Sequence, residues 1–140
     1  MTDEAKRDHL VKRAHAMTGQ GSPVVSIAEF FDGNGDMASI APNLIDHPGL
    51  ARFEEVFTGI ERKDDVASVW AQLDLEWAQY PVGEWPFATR VIIVTTANPK
   101  QVDEWIASLE ADPCYLEQAA QFPAIGTIPT GYNLVGVWWD

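Results

Sequence analysis

From residue 66 onward the chain alternates with a period of two. Val69, Ala71, Leu73, Leu75 and Trp77 fall on one parity, and Gln72, Asp74 and Glu76 on the other. Such alternation places one side of a strand in a core and the other in water, which predicts a half-buried edge strand over 66–78. Trp70 breaks the polar set near its start. The segment YPVGE at 80–84 turns the chain back, and TRVIIVTTA continues as a strand ending at 97. Val91, Ile92, Ile93 and Val94 are apolar on both parities, as in a central strand covered on both faces.

Other elements fit around this hairpin. Thr2 before Asp3 and Glu4 reads as a helix cap, Leu10, Ala14 and Met17 recur at helical spacing, and Gly19 and Gly21 stop the pattern. The apolar stripe of that helix is narrow, so residues 1–20 read as an N-terminal helical extension and 21–140 as a single α+β domain. VVSIAEFF predicts a strand over 24–31. Leu50, Phe53, Val56, Phe57 and Ile60 form one face of a helix over 48–61, with Pro48 in its first turn. Asn98-Pro99-Lys100-Gln101 has the composition of a capping box, and a helix follows with Val102, Trp105, Ile106 and Leu109 inward. YNLVGVWW is a closing strand. Residues 112–130 read as a short helix at YLEQAAQF and an irregular loop at PAIGTIPTG. The resulting order βαββαβ predicts a ferredoxin-like antiparallel sheet with helices on one face. Its first and third strands would lie side by side in the middle.

Composition narrows function. Hydrophobic content of 46% with 21% charged residues is a globular balance. The apolar runs are far shorter than the roughly 20 residues that cross a bilayer, and the N-terminus lacks a signal-peptide stretch. With one cysteine, Cys114, neither a disulfide framework nor a cysteine zinc site is expected. A cytoplasmic protein without membrane association follows. Residues 1–19 hold four basic residues and three acids, so the rest of the chain carries −13 of a net −12 charge. So acidic a body repels phosphate backbones, and nucleic-acid binding is not expected. It suits solubility foremost, and after that a basic protein partner.

The densest polar stretch is DGNGD, with Asp32, Asn34 and Asp36 at alternate positions. These match the first three ligands of an EF-hand loop, but Met37 stands where that loop needs glycine, and Asn43 where it needs a bidentate carboxylate. Glycine, asparagine and aspartate are equally what a tight turn selects, and the turn reading fits more of the residues. No metal is therefore assigned. Asp32, Asn34, Asp36, Asn43 and His47 still form a candidate ligand-binding set, because loops between a strand end and a helix start commonly carry sites. In an enzymatic reading His47 is the base; otherwise it caps the helix that follows.

Elsewhere chemical signatures are lacking. Cys114 has no surrounding family motif and reads as a spare thiol. There is no G-x-S-x-G elbow, dinucleotide fingerprint or P-loop, and no cofactor is expected. Six tryptophans remain. Trp77 and Trp105 read as core, while Trp138 and Trp139 point to opposite faces of the last strand. With Trp70 and Val135 or Val137, one of them is placed on an open sheet face, as a homodimer interface or beneath the N-terminal helix or the 112–130 loop.

The combination VVSIAEFFDGN, DMASIAPNL, WPFATRVIIVTTA and GVWWD resembles an uncharacterised family of small soluble bacterial proteins, over nearly the whole chain after residue 22. The resemblance implies a bacterial, single-domain protein, with no activity and no functional residues to transfer. The leading expectation is a non-enzymatic acidic interaction protein, regulatory or immunity-type. The alternative is a small-molecule or divalent-metal enzyme using the loop after the first strand.

Overall fold

The computed structural model describes residues 2–17, 19–74 and 84–140. Helices α1 (Asp3–Ala16), α2 (Ile27–Phe31), α3 (Leu50–Glu61) and α4 (Pro99–Trp105) accompany strands β1 (Val24–Ser26), β2 (Val66–Leu73), β3 (Ala88–Thr95), β4 (Tyr115–Glu117) and β5 (Asn133–Trp138). The strands form one antiparallel sheet in the order β1-β2-β3-β5-β4. The protein is α+β, but its strand order is not the ferredoxin-like one.

The reason for the difference begins at Ser26. Its hydroxyl accepts from Glu29 N at 3.2 Å and caps α2, so β1 is three residues long and IAEFF is helix rather than the continuing strand expected. The chain then returns through α3, and β1 pairs antiparallel with β2, Val25 opposite Ala71. That pairing puts β1 at an edge and moves β2 inside, where a central β1 and an edge β2 were expected. β3 does lie centrally, between β2 and β5. The continuation of β2 to residue 78, with Leu75, Glu76 and Trp77, and the turn at 80–83 lie outside the described residues.

Alternation divides the sheet's side chains between two layers. Val25, Val69, Ala71, Val91, Ile93, Val135 and Val137 face the helices and pack with Phe30, Phe53, Phe57, Val102 and Leu109. Val24, Ile92, Val94 and Leu134 face the other way, under Phe122, Ile125, Ile128 and Tyr132. Residues 112–130 thus supply edge strand β4, where a short helix was expected, and then two 3-10 turns. Phe122, buried to 1% exposure, anchors them over the second face. Helix α3 starts at Leu50 behind Gly49, whose φ of 96° suits glycine, so Pro48 precedes the helix instead of entering its first turn. The capping box at Asn98 and Gln101 forms as the sequence implies, with both bonds present. No helix among the described residues is long and apolar enough to cross a membrane.

Candidate functional site

The DGNGD stretch folds as a turn whose polar atoms bond locally. Asp32 closes α2, and Gly33 follows at φ 84°. Asn34 Oδ1 accepts from Asp36 N at 2.9 Å, and Asn34 Nδ2 donates to Ser39 Oγ at 2.9 Å. Asp36 Oδ1 caps the 3-10 turn Met37–Ser39 through Ala38 N at 3.0 Å. Its Oδ2 accepts from Trp85 N at 3.1 Å, binding the turn to the segment before β3.

The remaining candidates disperse. Asp32 is exposed and pairs with Lys6 Nζ of α1 at 2.7 Å. Asn43 lines a separate depression of about 240 Å³ with Thr89, Trp139 and Asp140. His47 Nε2 donates to Ile40 O at 2.9 Å while Nδ1 accepts from Gly49 N at 3.0 Å, and its ring lies 5.0 Å from Phe53. Both ring nitrogens therefore hold the loop closed against α3, with the tautomer fixed by those partners. Among the described residues, no three His, Cys, Asp or Glu side chains are grouped to hold a metal.

Of the five candidates, Asp36 lines a cleft between α1 and the turn. This cleft, of about 550 Å³, is walled by Asp3, Glu4 and Arg7 of α1, by Gly33, Gly35 and Asp36 of the turn, and by Glu84 and Trp85. A lobe of about 390 Å³ continues from Asp36, Glu84 and Trp85 toward Asp74 and Phe87. Helix α1 sits close on the turn. A Cβ at Gly33 would lie 3.0 Å from Lys6 Cδ and 3.1 Å from Asp3 Oδ1. Arg7 lies among the carboxylates, its Nε donating to Glu84 O and its Nη1 to Asp8 at 3.4 Å. Trp85 is 5% exposed and its Nε1 has no hydrogen-bond partner among the described residues. Sequence reasoning assigned Glu84 to a turn and gave Trp85 no role. No local pattern reveals that α1 folds against them.

The tryptophans chosen for an interface divide between the sheet's two sides. Trp139 turns toward the helices, 5.5 Å from Phe53, and donates from Nε1 to Leu109 O at 2.9 Å. Val135 and Val137 are buried on that same side, which removes them from an open-face patch. Trp70 packs in the layer beneath Phe122, with Nε1 on Ser68 Oγ at 2.8 Å. Trp138 is half-buried on the other side from Trp139, 6.4 Å from the Tyr115 ring.

Beside Trp138 lies a polar cluster that the sequence did not suggest. Arg90 Nη1 donates to Tyr115 OH and to Glu117 Oε1, both at 2.7 Å, and the Glu117 side chain is 7% exposed. Burial first, and then Glu117, push the Tyr115 hydroxyl up to about 12, against the opposing pull of Arg90. The Cys114 thiol is also pushed up strongly, by burial and then by Asp103. It sits in the helix-side core, 9% exposed.

A family model described as the Uncharacterized protein YfbO family matches residues 5–137, and the chain belongs to that family. A similar protein, "Uncharacterized protein YfbO" of Escherichia coli (strain K12), is 26% identical over 121 residues, covering 84% of this chain and 83% of its own. No solved structure gives a significant match. The resemblance read from the sequence, to an uncharacterised bacterial family, is thereby established.

Proposed function

We propose that this family member is a non-enzymatic cytoplasmic binding protein, regulatory or immunity-type, whose acidic cleft receives cationic side chains of a basic protein partner. The observation that carries the reading is the cleft's composition. Asp3, Glu4, Asp36 and Glu84 surround its main chamber with Arg7, and Asp74 lines the adjoining lobe. Carboxylates clustered on one concave surface focus a negative field that raises the local concentration of cations and speeds their encounter. The dispersal of Asp32, Asn43 and His47 away from this cleft weighs against an acid–base site built on that loop.

The test is titration of a fluorescent decalysine peptide, followed by anisotropy, at about 50 mM and about 500 mM NaCl. Binding at low salt is expected to weaken about tenfold or more at high salt, and by a similar factor in the triple variant D3N/E4Q/E84Q. These three side chains are exposed, so the fold should survive their neutralisation. No binding at low salt, or unchanged affinity in the variant, overturns the reading.

A further inference from the structure

We propose that α1 is a detachable strap: it walls the acidic cleft while docked and swings away about Gly19 when its cations are competed off the body. The competitor's identity, a basic peptide, rests on the binding reading above; release by salt does not.

The docking of α1 joins a small apolar contact, with Val11 packed beside two buried residues, to a set of screenable ion pairs. Leu10 and Ala14 are its fully buried side chains, whereas α3 is held by Phe53, Phe57 and Ile60. Three cations of α1 reach across to the body: Lys6 to Asp32, Arg13 to Glu29 and Arg7 to the Glu84 carbonyl. The side chains in the two ion pairs are 30–62% exposed, within reach of screening ions. Among the described residues, the backbone bonds at the two ends of this helix run locally, Lys6 N to Thr2 O, Met17 N to Ala14 O and Gln20 N to Met17 O. The helix also carries its own end stabilisation. Thr2 Oγ1 accepts from Ala5 N at 3.1 Å, acids occupy the first turn, and Arg13 and His15 the last.

The pivot follows from two glycines. Gly21 is pinned, since a Cβ there would lie 2.6 Å from Pro123 Cδ, and Ser22 N donates to Gln121 O at 3.0 Å. Gly19, at φ 88°, has nothing among the described residues beyond its chain neighbours within 4 Å of a Cβ position. Rotation at Gly19 therefore moves α1 while the chain from Gly21 onward stays on the Phe122 segment. Because Asp3, Glu4 and Arg7 form one wall of the cleft, this motion converts a walled cleft into an open acidic surface around Asp36 and Glu84.

Hydrogen exchange of the full chain, read by mass spectrometry, tests the strap. Between about 50 mM and about 1 M NaCl, α1 amides are expected to exchange about fivefold faster while α3 amides do not change. K6E/R13E should give the same acceleration at low salt, and adding D32K to K6E should restore part of the protection. The salt series on the unmodified chain keeps the test decisive if a variant fails to fold. Salt-independent α1 protection, or α1 and α3 accelerating together, overturns the strap. If salt and K6E/R13E free α1 but decalysine does not bind, the strap stands and the binding reading fails. If decalysine binds while α1 stays protected at every salt, the strap fails and the cleft reading survives.

Discussion

The ring of Tyr115 lies directly over Gly136, its partner on the neighbouring strand β5: a Cβ on that glycine would stand 2.9 Å from Tyr115 Cζ. Glu117 Cγ would be 3.1 Å away. The missing side chain lets two residues of β4 reach across β5 to Arg90 on β3. G136A must displace the ring or the carboxylate, and is expected to destabilise by about 1–3 kcal/mol in urea unfolding. G59A makes the contrast, for Gly59 lies exposed in α3 with nothing among the described residues within 4 Å of a Cβ position. There alanine should stabilise by about 0.5–1 kcal/mol. Equal effects of the two substitutions would refute this account of Gly136.

Asp36 and Asp32 differ by four positions and are expected to behave very differently. D36A removes the cap of the 3-10 turn and leaves Trp85 N without its acceptor, for a loss of about 1–2 kcal/mol and a shift in tryptophan emission. D32A removes one exposed ion pair and should leave the melting temperature nearly unchanged. A larger loss in D32A than in D36A would contradict the roles given to these carboxylates.

The Arg13–Glu29 pair should make stability depend on acid pH. Burial raises the Glu29 pKa, but Arg13 and Ser26 together outweigh it and hold the group below its ordinary 4.5. A depressed carboxylate stabilises the fold fully above its unfolded pKa and loses that contribution as pH falls through the folded one. The melting-temperature advantage of the native chain over E29Q should therefore be constant above about pH 5.5 and vanish toward about pH 3. With both side chains about a third exposed, the effect is below about 1 kcal/mol. A difference that does not change with pH would show the carboxylate to be irrelevant.

Cys114 should resist thiol reagents. Burial and Asp103 both disfavour its thiolate, the reactive form. Labelling by dithionitrobenzoate is expected to be at least about 100-fold slower in the native protein than in urea. Rapid native labelling would mean that the segment between α4 and β4 opens readily.

Much of the local structure was legible in the sequence because it rests on local rules. The alternation in β2, the two-sided apolarity of β3 and the Asn98–Gln101 capping box each depend on residues close in the chain. Ser26 and Glu29 carried a similar signal for α2, but a five-residue helix is too short to show a period, and VVSIAEFF reads as one strand. Strand order was not legible, since the succession of elements is compatible with β1 beside β3 or beside β2, and the length of β1 separates the cases. The candidate loop was located, yet its side chains were not apportioned. Whether Asp32 meets Lys6, or Asp36 meets Trp85, depends on contacts 26 and 49 residues apart.

The two edges of the sheet, β1 and β4, are each three residues long, and the longer strands lie inside. Pro23 immediately precedes the first edge, and Pro113 lies two residues before the second. Each edge therefore presents only a short row of backbone donors and acceptors to a passing chain, flanked by a residue that cannot donate. Polymerisation by strand addition has little to grow from, even at the concentrations of a crowded cell. Under the binding reading proposed above, recognition would fall to side chains on the surface, with charge rather than backbone pairing selecting the partner.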